Sequence, residues 1–208
     1  MIKRLLCVFT LLVSPLMVAA ETDDAASALK QRLGQLHSFE AKFKQQVTDL
    51  QGEVLQVADG MLQLSQPNNM VWKLLPPDET KLIADGETVW HIDPFVEQVV
   101  AFDQDQAIEN NPLILLAQPD SDHWQSFVIT QPQPQQFVIT SLSEDSQIAS
   151  LTLKFEQQQL VELVMVDRQQ QRTLMTFSEI RQNSDLDPAL FRFSLPPGYD
   201  LDDQRSPD

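Results

Sequence analysis

From Gln66 to Val99 the chain sets large apolar side chains on alternate positions, in runs too short for helices and broken by turn residues. Met70, Trp72 and Leu74 fall on one face of an extended strand and Val71, Lys73 and Leu75 on the other, because successive side chains of a strand point to opposite sides. Asp85-Gly86-Glu87-Thr88 forms a hairpin turn, with glycine supplying the positive φ that a tight reversal needs. Trp90 and Ile92 repeat the apolar parity on the next strand, which Asp93-Pro94 closes. Connections this short leave no room for crossovers, so neighbouring strands run antiparallel.

The same grammar extends along the chain. Phe39, Ala41 and Phe43 alternate with Glu40, Lys42 and Lys44, Gly52 marks a turn, and Gly60 to Leu64 starts another alternating stretch. Later strands are expected at Ser126 to Thr130, Gln136 to Thr140, Ile148 to Phe155, Leu160 to Val166 and Thr173 to Ile180, separated by glutamine-rich connectors. Thr22-Asp23-Asp24 is a helix start, and Ala25, Leu29, Leu33 and Leu36 follow at helical spacing to about His37. Asn111 to Ala117 reads as a short helix with a proline in its first turn, apolar nearly all round as no solvent-facing helix would be. The tail from Asp187 to Gly198 suggests a helical turn, an edge strand and a proline stop. The expectation is a mainly β domain of about ten antiparallel strands with two or three short helices, as a strongly curved sheet or open barrel. No repeat or linker divides it, so residues 21–208 form one domain.

The first twenty residues are of another kind. Lys3 and Arg4 precede an apolar run from Leu5 to Met17, and Val18-Ala19-Ala20 supplies the small residues of a cleavage site. Residues 1–20 therefore read as a secretory signal peptide cut near Ala20, the run being too short for a lasting membrane span. The sole cysteine, Cys7, lies at the start of that run, so the expected mature chain has no disulfide and no acylated N-terminal cysteine. A formal net charge of −16 speaks against nucleic acid as a partner, which needs a basic footprint, and against adhesion to anionic membranes.

Catalytic chemistry finds little to stand on. His37, His91 and His123 lie far apart without metal-ligand spacing, and no metal or other cofactor is implied. There is no Gly-x-Ser-x-Gly elbow, phosphate loop or dinucleotide fingerprint. What stands out is apolar surplus: Leu151, Leu153 and Phe155 opposite Ile148, and Val161, Leu163 and Met165 opposite Leu160, Val164 and Val166. Such strands fit either an ordinary core with cover on both faces or a lined ligand cavity. Methionines at Met61, Met70, Met165 and Met175 suit both.

The order Gly60, Gln66-Pro67-Asn68, Trp72, Pro77-Asp78-Glu79, Asp85-Gly86, Trp90, Pro94-Phe95-Val96-Glu97-Gln98, Phe191-Arg192-Phe193, Pro196-Pro197-Gly198 and Asp202-Asp203-Gln204-Arg205 resembles the periplasmic outer-membrane lipoprotein carriers, the LolA family. The resemblance implies an unclosed antiparallel β-barrel of about ten or eleven strands, with a helical lid over an apolar cavity. It implies a periplasmic chaperone, not an enzyme. Such a chaperone would take acylated lipoproteins from an inner-membrane ABC transporter to an outer-membrane receptor, without stable membrane insertion. A lipid-sensing or adaptor domain on the same half-barrel is the alternative. With the strand parity, the resemblance assigns Phe43, Leu64, Met70, Trp72, Leu74, Trp90, Ile92 and Phe95 to the acyl-chain cavity, and Leu113, Ile114, Leu115 and Leu116 to the lid. The family carries an arginine before the proline corresponding to Pro67, thought to hold the lid closed through backbone hydrogen bonds, and an aromatic at the Met70 position. Here Gln66 is the latch candidate, a donor without charge or planar fork.

Overall fold

The computed structural model describes residues 18–108 and 111–206, with side chains from Asp24 onward. The expected signal peptide, residues 1–20, lies outside the described residues except for the backbone of its last three. Helix α1 (Val18–Gly34) leads into β1 (Ser38–Thr48) and β2 (Val54–Ser65), a long hairpin. Four shorter strands follow: β3 (Asn69–Leu74), β4 (Thr80–Ala84), β5 (Thr88–Asp93) and β6 (Gln98–Asp103). The short α2 (Gln104–Ala107) and two 3-10 helices, Pro112–Ala117 and Asp122–Ser126, precede β7 (Phe127–Gln133). The chain then returns through β8 (Gln136–Ser141), β9 (Ile148–Glu156), β10 (Gln159–Asp167) and β11 (Arg172–Gln182), ending in a 3-10 turn at Pro188–Phe191 and β12 (Asp200–Asp203).

All twelve strands of the described residues form one sheet in the order β12-β6-β5-β4-β3-β2-β1-β11-β10-β9-β8-β7. Every pairing is antiparallel except β12, which lies parallel to β6. The β7 and β12 ends of the sheet are not paired with each other, so the barrel is unclosed. The sheet nevertheless curls. Arg32 Nη1 donates to Gln135 Oε1 in the β7–β8 turn at 2.8 Å, while the carbonyl of the next residue, Leu33, accepts from Gln66 Nε2 in the β2–β3 turn at 2.8 Å. A flat sheet would hold those turns roughly 25–30 Å apart, at about 4.8 Å per strand. Meeting at adjacent residues of α1 requires strong curvature.

Two sequence expectations change at the C-terminus and after Val99. No strand forms between Asp187 and Gly198, where Phe191 and Phe193 pack on the outer face instead, and the edge strand is β12, beyond the prolines. Val99 does not end the pattern: β6 runs on to Asp103, its far edge taken by β12.

Candidate functional site: the inner face and its cover

Register decides which side chains meet. Phe43 pairs with Gly60 and Phe177, Leu62 with Trp72, Leu64 with Met70, and Gly60 with Leu74. Directly opposed residues share a face, so Phe43, Leu64, Met70, Trp72 and Leu74 come together on the inner face, where all but Trp72 are buried. Phe43 stacks on Trp72 with centroids 6.0 Å apart and packs edge-on against Phe177. The far strands continue the surface with Ile129, Phe137, Leu151, Leu153, Leu163 and Met175. Gly60 is required by this packing, since a Cβ there would lie 2.5 Å from the Lys73 carbonyl oxygen and collide with the Phe43 ring.

Trp90 and Ile92 do not belong here. Met70 opposes Ala84, and Ala84 opposes Val89, so Val89 is the inner residue. Trp90 opposes Ile83, which opposes Val71, and these lie on the outer face. Apolar size suggested the opposite parity, but register is set by the turn and a one-residue difference exchanges faces. The outer-face cluster is covered by the segment after β11: Phe193 stacks on Trp90 at 4.0 Å, with Leu186, Leu190 and Phe191 alongside. Phe95 is not in the cavity either. It lies in the β5–β6 turn, 70 % exposed, where the tight reversal leaves it no sheet face to join.

The inner face is covered by two elements. Leu29 and Leu33 of α1 and the whole segment Leu113, Ile114, Leu115 and Leu116 are buried in the same cluster as Phe43 and Met70. The residues at 113–116 thus form apolar cover, and their all-round hydrophobicity follows from enclosure. Trp124 Nε1 ties the end of this segment by donating to the Gln118 carbonyl at 2.9 Å.

Gln66 makes a closing bond, though not to the segment at 113–116. Its Nε2 reaches the C-terminal turn of α1 at the Leu33 carbonyl, which also accepts from Leu36 N–H at 2.8 Å. Across a cleft Gln66 faces the Gln118 to Ser121 turn that follows the segment at 113–116. Two further tethers hold α1 and the turn that follows it. Asn183 takes the His37 N–H and donates to the Gln35 carbonyl. Arg32 lies 4.6 Å from the Phe155 ring centroid, and partial burial lowers its pKa. The apolar spacing of Ala25, Leu29 and Leu33 signals a buried helix face, but nothing in it says which sheet face the helix covers.

Glu40, buried on the outer face, accepts from Gln63 Nε2 at 2.6 Å and pairs with Arg181. Lys73 and Lys81 oppose each other across β3 and β4, and the Lys81 pKa is lowered by burial and then by Lys73. Among the described residues no group of three His, Cys, Asp or Glu side chains is placed to hold a metal ion, and no helix is long and apolar enough to cross a membrane.

The chain is similar in sequence and in fold to known proteins. The family model described as "Outer membrane lipoprotein carrier protein LolA" matches residues 34–194. An outer-membrane lipoprotein carrier protein of Aeromonas salmonicida is 40 % identical over 204 residues, covering 98 % of this chain and 99 % of its own. One from Shewanella loihica is 37 % identical over 193 residues, covering 92 % of each chain. In fold, the crystal structure of a LolA superfamily protein from Nitrosomonas europaea superposes with a TM-score of 0.51 at 10 % identity, covering 81 % of this chain and 98 % of that one. With a match of this length, the chain belongs to the LolA family of outer-membrane lipoprotein carrier proteins.

Proposed function

We propose that this protein is a periplasmic chaperone that carries acylated lipoproteins from an inner-membrane ABC transporter to an outer-membrane receptor. The acyl chains are sheltered on the inner face, beneath α1 and the segment at 113–116. The leader cut near Ala20 delivers the chain to the periplasm, and the protein works as a carrier rather than a catalyst.

The observation that carries this reading is the cover itself: four consecutive large apolar residues, 113–116, buried against a sheet face that is already apolar. Each acyl methylene exposed to water costs about 0.8 kcal/mol, so a multi-chain anchor cannot cross an aqueous compartment unshielded. Displacing the cover exposes apolar residues, and acyl chains taking their place restore the burial. Loading is therefore an exchange of one apolar cover for another, which keeps binding strong enough to extract and weak enough to release.

The test is competition for the inner face. Purified mature protein should bind an environment-sensitive apolar dye, and an acylated lipoprotein should displace it while its unacylated form does not. Equal displacement by the unacylated form would show that the polypeptide, not the acyl group, is recognised.

A further inference from the structure

The three tryptophans differ in what their indole N–H groups do. Trp90 Nε1 donates to Asp85 Oδ2 at 2.8 Å and Trp124 Nε1 to the Gln118 carbonyl at 2.9 Å. Trp72 Nε1 is buried and, alone among the buried side-chain nitrogen and oxygen atoms of the described residues, has no hydrogen-bond partner. An indole nitrogen can only donate, and a buried donor without an acceptor destabilises the state that encloses it. It stacks on Phe43 and stands opposite Leu62 and Leu82, none of whose side chains carries an acceptor. For packing alone, phenylalanine would serve at this position without the penalty.

We infer that Trp72 is a ligand-recognition residue, whose indole N–H donates to the carbonyl oxygen of a fatty-acyl ester or amide when the inner face is loaded. This rests on the reading of the inner face as an acyl-chain site. A hydrocarbon tail has no hydrogen-bonding group along its length, and the acyl carbonyl is the first acceptor it brings with it. A donor among apolar side chains therefore fixes how deep the chains sit and separates acylated from merely greasy ligands. The orphaned donor weakens the closed, empty form and is satisfied in the loaded one, so both effects favour loading.

The experiment compares a diester lipopeptide with its dialkyl-ether counterpart of equal chain length, on the mature protein and on Trp72→Phe. The wild-type protein should prefer the diester by about fivefold, the yield of one buried neutral hydrogen bond. Trp72→Phe should lose that preference and bind diester and diether alike, and its empty form should resist denaturant at least as well as wild type. Incorporating 3-benzothienylalanine at position 72, which replaces the N–H by sulfur at nearly constant shape, should give the same result if phenylalanine disturbs folding. A peptide bearing one N-acyl chain and no ester tells the two sources of the carbonyl apart: weaker binding to Trp72→Phe assigns the acceptor to the amide, and unchanged binding assigns it to the ester. Equal affinity of wild type for diester and diether, or an equal loss for both in the variants, would reduce Trp72 to an apolar contact and overturn the inference. Failure of wild type to bind either probe would sink the acyl-site reading itself, and the donor role with it.

Discussion

Gln66 is where a small change should move the closed state by a calculable amount. In Gln66→Leu the bond from Nε2 to the Leu33 carbonyl disappears. That carbonyl keeps its bond from Leu36 N–H, so no acceptor is left bare and the loss is that of one neutral hydrogen bond, about 1 kcal/mol. The tethers at Asn183 and Arg32 are untouched, so the whole difference goes into the balance between covered and uncovered inner face. About fivefold more of the uncovered form should be present, and stopped-flow uptake of an apolar dye should accelerate by about that factor. Gln66→Arg acts in the opposite direction. A guanidinium beside the C-terminal carbonyls of α1 makes charge-assisted bonds and complements the helix dipole, and it faces the Gln118 to Ser121 turn across the cleft. Closure should strengthen by roughly 1 kcal/mol and uptake should slow by several-fold. If covered and uncovered forms exchange in this way, Gln66→Leu should also hold its cargo longer and pass it on less readily. Uptake rates that match wild type in both variants would refute the reasoning and leave Asn183 and Arg32 as the contacts that keep α1 in place.

Gly60→Ala sets a methyl group against the Phe43 ring and the Lys73 carbonyl, and backbone cannot yield as a flexible side chain does. A loss of about 1–3 kcal/mol in urea unfolding is expected, and Phe43→Leu in the same chain should recover part of it; an unchanged midpoint would mean the strands are not packed as described. The docking of β12 should depend on acid. The Asp203 carboxyl is held at about 2, below its ordinary 3.8, chiefly by the hydrogen bond from the Arg205 side chain, and Arg205 also lies 5.3 Å from the Trp90 ring centroid. A depressed carboxyl pKa contributes stability above the unfolded value that is lost as pH falls toward the folded one, so the window runs from about pH 4 down to about 2. The protection of Gln204 N–H, which bonds the Ala101 carbonyl, against hydrogen exchange relative to a free peptide should fall across that window in wild type but not in Asp203→Asn; equal behaviour of the two would exclude Asp203 as the acid-sensitive contact.

Local pattern carried the strand and helix inventory well. Alternation marks β1, β3, β9, β10 and β11 because side chains of a strand change sides at every residue, and Pro112 with four apolar residues after it marks a covered helical turn. Phe43, Leu64, Met70, Trp72 and Leu74 were legible as inner-face residues for the same reason, each lying within a single run of constant parity. Parity does not survive a turn unless its length and type are known, and so Trp90 and Ile92 were placed on the wrong side. Ala84 pairs with Val89 across the Asp85–Gly86 turn, and that one pairing sends both residues to the outer face under Phe191 and Phe193. Composition could not foresee the partner of Gln66 either. Its bond joins residues 33 positions apart, and it exists because the curl of the sheet brings the β2–β3 turn to the end of α1. The amino-acid sequence by itself determined which segments extend, which coil and that one sheet face would be greasy. Which greasy face became the inner one, and which helix closes it, was decided by register and curvature, which depend on contacts between residues distant along the chain.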